Sequence, residues 1–180
     1  MLQRKPTPTV LDVNPMSNEI ADRVQDALVE LNAEFEVIDI DPAFTHTADF
    51  CARYGYDLEH SGNAILVASK RPVGHHALCL ATATTRLDVN RRVRGLMEVR
   101  KLSFASAELT VEVTGMEIGG VTPFGLPYHL PIYVDSRIMK LPKILVGGGN
   151  RSTKIFVNTE VFERMESVLI VEGLAQPLPA

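Results

Sequence analysis

From residue 20 onward apolar side chains return every three or four positions. Ile20, Val24, Ala27, Leu28 and Leu31 form one stripe, and Ser17 or Asn18 stands where a helix would be capped. "FEVIDI" (35–40) changes to a strand pattern and stops at Asp41-Pro42. Thr47 is placed to cap a short helix through Tyr54, which Gly55 ends. "AILVAS" (64–69) and "HHALCLAT" (75–82) predict two apolar strands around a turn at "KRPVG". Asp88 opens a helix running to about Met97, and Ser106 opens another, "AELTVEVT", which Gly115 terminates. Beyond it the pattern predicts short strands at "EIGGV" (117–121), "PIYVD" (131–135), "KILVG" (143–147) and "KIFVN" (154–158). Asn158 or Thr159 then starts a last helix through Val168.

Short strands, tight glycine corners and interspersed helices define a mixed α/β class. They favour a curved or closed sheet over a doubly wound one, in which βα units would alternate regularly. The expectation is a single domain over 1–180, with 1–16 as an irregular lead-in and 171–180 as a loosely packed tail. Its strands from Ala64 to Val157 would form one curved, mostly closed sheet, with the first helix outside. There is no internal repeat.

Composition narrows the class without naming a chemistry. Apolar residues make up 46% and charged residues 22%, as in ordinary globular proteins. No apolar run approaches the roughly 18 residues of a membrane helix, and the first residues lack an apolar secretory core. Two cysteines are too few for a disulfide framework, which points to a reducing cytoplasm. Charge is uneven: residues 1–60 hold 12 acidic and 4 basic side chains, residues 61–180 hold 10 and 14. Six basic residues fall between Arg86 and Lys101. That cluster reads either as a solvated helix face or as a patch that meets phosphates, with Arg91 and Arg94, three apart, as the pair sharing a face.

Two glycine-rich turns draw attention, "GGVTPFG" (119–125) and "GGGNRS" (147–152). Each lies between predicted strands, so neither has the strand-to-helix context of a phosphate loop or dinucleotide fingerprint. "GHHALC" offers His75, His76 and Cys79, but strand alternation sets His76 on the opposite face from the other two, and no paired cysteine motif completes a zinc site. No serine-nucleophile elbow occurs, and Cys51 sits on the presumed inner face of a helix. What remains is a set of loop residues: His46-Thr47 before one helix, Asn63 before an apolar strand, and the two glycine turns. Taken singly, each is explained first by local caps and turns; the other reading is a ligand pocket whose backbone amides face an oxyanion.

Taken together, "HTADFCARYG", "NAILVASK", "LCLATATTRLDVNRRVRGLMEVRKLSFAS", "VTGMEIGGVTPFGLP", "LPIYVDS" and "GGGNRSTKIFVN" resemble the YbaK/ProX family of aminoacyl-tRNA editing domains, related to the insertion domain of bacterial prolyl-tRNA synthetases. They follow the family's order over roughly residues 20 to 168, and "TGMEIGGVTPFG" is the most specific of them. The resemblance implies a distorted β-barrel of mixed strands flanked by helices, with a pocket at its mouth. It implies a trans-acting deacylase that hydrolyses the ester of mischarged tRNA in support of translation fidelity, with no metal or organic cofactor. Its partners would be the tRNA 3′ end and an aminoacyl-tRNA synthetase, not DNA or a membrane. Many members carry lysine at the start of the first apolar strand; here Asn63 stands in that place. Carried over residue by residue, Asn63, Gly119 and Gly120 are the expected catalytic positions. His46, Thr47, Thr122, Pro123, Gly149 and Arg151 would bind substrate, and Arg91 and Arg94 would meet RNA. The alternative is a non-catalytic binding module that keeps the fold and has lost hydrolysis.

Overall fold

The computed structural model describes residues 15–179. Residues 1–14, most of the expected lead-in, lie outside the described residues. Helix α1 spans Pro15–Glu30. It begins at least three residues earlier than a cap at Ser17 or Asn18 predicts, because proline suits the first helical turn, where its missing N–H costs nothing. Ser17 is therefore inside the helix, and its buried face is Ser17, Ala21, Val24 and Leu28. The small Ser17 and Ala21 let another loop approach, and the Asn150 amide donates to the Ser17 carbonyl at 2.9 Å.

The strands fall into three hydrogen-bonded sheets. In the largest, β2 (Gly62–Arg71) and β3 (Val73–Thr82) form an antiparallel hairpin at the centre. One side of the pair is extended by β5 (Lys101–Phe104). The other side carries β6 (Ile132–Asp135) and β9 (Val168–Val171), both running parallel to β3. A second sheet joins β1 (Phe35–Asp39), β8 (Thr153–Asn158) and β7 (Lys143–Gly147), all antiparallel. The third is a two-stranded ribbon of β4 (Thr85–Leu87) and β10 (Ala175–Pro177). A parallel bridge between Ser61 and Leu145 links the first two. The expected single sheet from Ala64 to Val157 is thus divided, and the barrel is closed by that bridge and by packing.

Alternation along the hairpin explains the two cores. Leu66, Leu78 and Leu80 face one cluster with Val24 and Leu28 of α1 and Ile155 and Val157 of β8. Val67, Ala77, Cys79 and Ala81 face a second cluster with Val89, Val93 and Leu174. A strand buried on both faces reads as a continuous apolar run, as "AILVAS" does.

Four sequence expectations are corrected. "EIGGV" is a turn, not a strand, since Gly119 has a φ of +93° and the Gly120 N–H closes back on the Glu117 carbonyl at 2.9 Å. The basic segment is capped by Asp88, as expected, but Val89–Val93 forms a π turn before the four-residue α3 (Arg94–Met97). The last helix is a 3-10 segment, Thr159–Arg164, and Val168 already begins a strand. The tail is tied down: the buried Asp135 carboxylate accepts from the Ala175 N–H at 2.9 Å and from Arg137 at 3.1 Å, and Arg137 also donates to the Ala175 carbonyl. A buried carboxylate needs such partners, and here they dock β10.

Candidate functional site

Helix α2 (Thr47–Tyr54) is preceded by His46 and ended by Gly55 in the left-handed conformation. The residue in the cap position is His46, whose side chain makes no capping bond, and Thr47 is already helical. The Thr47 hydroxyl is therefore free to cross to β2, where it donates to the Asn63 side-chain oxygen at 2.7 Å. That bond fixes the amide orientation and leaves the Asn63 NH2 group without a partner among the described residues.

Between the start of α2, the start of β2 and the 118–121 turn lies a cleft of about 670 Å³. His46, Thr47, Asn63 and Gly119 line it, together with Lys154 from β8 and Leu178 from the tail. Most of the wall is apolar, including Ala64, Leu66, Ala105 and Ile118. Volume and lining fit the usual ligand site: mostly apolar, with a few placed polar groups.

Gly119 is glycine for a physical reason. At its positive φ a side chain is strained, and a Cβ would meet the Thr45 side chain at 2.7 Å. The Thr45 hydroxyl donates to the Gly119 carbonyl at 3.1 Å, while the Gly119 N–H makes no hydrogen bond among the described residues.

The other glycine-turn candidates lie elsewhere. Gly120 packs against the second turn so closely that a Cβ would meet the Asn150 carbonyl carbon at 2.6 Å and its nitrogen at 2.7 Å. Its N–H is bonded to Glu117, and its carbonyl accepts from the Gly149 N–H at 2.7 Å. The Gly120 N–H is thereby spent on closing its own turn and the Gly149 N–H on joining the two turns, so neither is free for an oxyanion. Neither residue lines the cleft; nor do Thr122 and Pro123, both buried behind the turn. If the Gly120 backbone met substrate, a Gly120→Ala protein would keep its fold and lose turnover; here the added methyl would instead be driven into the Asn150 backbone, as a purely structural turn requires. Arg151 ties the rim: its N–H meets Glu117 at 2.8 Å, and its guanidinium reaches the carbonyls of Ile118 and Pro42, both at 3.3 Å.

Arg91 and Arg94 are exposed, and neither lines the cleft. The π turn, bonded from Val93 N–H to Asp88 carbonyl, removes the α-helical spacing on which their shared face depends. His75 is exposed while Cys79 is fully buried. Burial pushes the Cys79 thiol up to about 12.

Sequence reasoning missed Lys154. Its neighbours in β8, Ile155 and Val157, face the main core, so alternation sends Lys154 with Phe156 toward α2. A lysine on an inward-facing strand position was the available signal. Leu178 carried none, because only the docked tail brings it to the cleft.

The comparisons with known proteins agree with this architecture. Residues 41–165 match the aminoacyl-tRNA editing domain, and the chain belongs to that family. A crystal structure of a candidate trans-editing enzyme for prolyl-tRNA synthetase is similar at a TM-score of 0.74 and 21% identity, covering 92% of this chain and 99% of that one. The hypothetical protein APE2540 matches at a TM-score of 0.76 and 20% identity over 86% of this chain and 99% of its own. A scaffold used for epitope backbone grafting matches at 0.73 and 19%. At these identities the structures establish the fold, a YbaK/ProX-like distorted barrel flanked by helices. Among the described residues no helix is long and apolar enough to cross a membrane.

Proposed function

We propose that this chain is a trans-acting deacylase that hydrolyses the ester between a wrongly attached amino acid and the 3′ end of a tRNA. The observation that carries the reading is the open cleft beside Asn63, with that side chain held by Thr47 and its NH2 unspent. A module that had lost its pocket would have a side chain filling this space.

In the proposed reaction the acyl group enters the cleft and the ester carbonyl lies between Asn63 and Gly119. Water adds to the carbonyl carbon, and the carbonyl oxygen takes the negative charge. The Asn63 NH2 and the Gly119 N–H donate to that oxygen. The bond to the ribose oxygen then breaks, and the proton from water ends on that oxygen, giving a free amino acid and an uncharged tRNA terminus. Two oriented donors in a mostly apolar cleft act more strongly than they would in water. Hydrolytic editing is needed where binding alone separates small side chains by only about 10- to 200-fold. Arg91 and Arg94 are separate candidate contacts for the RNA backbone, and a reduced salt dependence of binding on their removal is the expected sign.

The test is a deacylation screen over a panel of mischarged tRNAs with the full chain. The expected result is hydrolysis of at least one mischarged species and sparing of the correctly charged one. Binding without hydrolysis across the whole panel would give the site to the non-catalytic alternative.

A further inference from the structure

We infer that Lys154 is the anion receptor of the cleft, and that the ligand brings the negative oxygen that completes it. The inference rests on the deacylase reading for the identity of the site, but its evidence is separate.

Lys154 is 4% exposed. Among the described residues its ammonium makes no hydrogen bond and no ion pair. The ammonium stands 5.6 Å from the centroid of the Phe50 ring, and the buried Cys51 thiol of the same helix is its other electrostatic neighbour. Phe50 is fully buried in α2, so the ring covers one side of the charge. The lysine also lines the cleft that Asn63, Thr47 and Gly119 line. Buried ammonium groups are almost always paired, because taking the charge out of water costs several kcal/mol that only a counter-charge offsets. Here burial lowers the Lys154 pKa. A cation held dry against a ring, with its remaining side on an open cleft, is poised for an incoming anion.

The matching chemistry is an oxygen anion. It has two sources in an aminoacylated RNA end: a carboxylate on the acyl side chain, or the phosphate of the terminal nucleotide. Position in the molecule favours neither, since Lys154 is buried yet reaches the same cleft as the exposed His46.

Three non-hydrolysable probes separate them: 3′-(asparaginylamino)-3′-deoxyadenosine, its aspartyl counterpart, and the asparaginyl compound with a 5′-monophosphate. Affinities are measured by calorimetry at one ionic strength, with the wild-type chain, Lys154→Met and Lys154→Gln. The wild type is expected to bind one anionic probe at least tenfold more tightly than the neutral one, and both substitutions are expected to erase that preference. Preference for the aspartyl probe assigns the acyl carboxylate; preference for the nucleotide assigns the phosphate. Equal affinity of the wild type for all three overturns the inference, with no variant needed. Survival of the preference in either folded variant also overturns it. None of the probes can be hydrolysed, so failure here is distinct from failure to deacylate.

Discussion

The two sides of the cleft differ in what their polar groups are doing. On one side the 117–120 and 147–151 turns close on each other. Gly149 N–H reaches Gly120 O, Glu117 N–H reaches Gly149 O, and Arg151 binds Glu117, Ile118 and Pro42. On the other side Thr47 orients Asn63, and the Asn63 NH2 and the Lys154 ammonium are left without hydrogen-bond or ion-pair partners among the described residues. The most specific sequence motif therefore belongs to the side whose hydrogen bonds are nearly all internal. Glycine there serves backbone-to-backbone contact; of the glycines in the two turns Gly119 alone lines the cleft, and its N–H makes no hydrogen bond among the described residues. Construction and chemistry are divided between the two sides.

The division is broken most severely at Gly120. A methyl there has no room, because its neighbours are the Asn150 backbone atoms rather than a flexible side chain. Gly120→Ala is expected to cost about 3 kcal/mol or more, at the upper end of overpacking penalties. For a chain of this size that lowers Tm by roughly 6–12 °C. Gly95→Ala is the control, with nothing within 4 Å of its added carbon, and should leave Tm nearly unchanged. An unshifted Tm in Gly120→Ala together with lost activity would return this turn to the chemistry.

The open side should behave in the opposite way. Asn63→Ala is expected to reduce kcat/KM for deacylation by 10- to 100-fold, about 1.4–2.7 kcal/mol of transition-state stabilisation, with little change in Tm. Thr47→Val keeps the side-chain shape and removes the hydroxyl donor, so its loss should be smaller, roughly 3- to 10-fold. Since Thr47 acts through Asn63, the double variant should be no slower than Asn63→Ala alone. Fully additive losses would mean that Thr47 touches substrate on its own account.

Which parts were legible in the sequence follows from how local their causes are. The α2 stop at Gly55, the Ser106 cap, which accepts from the Leu109 N–H at 3.1 Å, and the β2–β3 hairpin depend on neighbours in sequence, and the pattern shows them. The fate of "EIGGV" depends on a turn some 30 residues away, and the docked tail depends on Asp135, 40 residues from Ala175. No local pattern records such partners. The candidate site divided in the same way. Asn63, Thr47, His46 and Gly119 meet in one cleft, whereas Gly120 and Gly149 are bonded to each other and to Glu117. Lys154 was readable by alternation only once the core side of β8 was known.

The smallest expected effect lies in the pH dependence of stability, and it isolates Lys154. Burial holds its folded-state pKa below the ordinary lysine value. Between those two values the unfolded chain binds a proton that the folded chain does not, so this residue makes stability rise with pH. Below that window the buried charge is a constant penalty. Burial raises the pKa of Cys79, Tyr133 and Tyr56, and these act in the opposite sense, making stability fall as pH rises past their unfolded values. The wild-type curve alone mixes the two. Subtracting it from the Lys154→Met curve cancels the Cys79, Tyr133 and Tyr56 contributions and leaves the lysine with its coupling to the Cys51 thiol. The variant should melt a few degrees above the wild type near neutral pH, and the gap should narrow as pH climbs toward the ordinary lysine range. Thermal melts in matched buffers read the difference directly. A gap that stays constant with pH would show that the ammonium is already well solvated, and the open side of the cleft would lose the feature that most distinguishes it from the closed one.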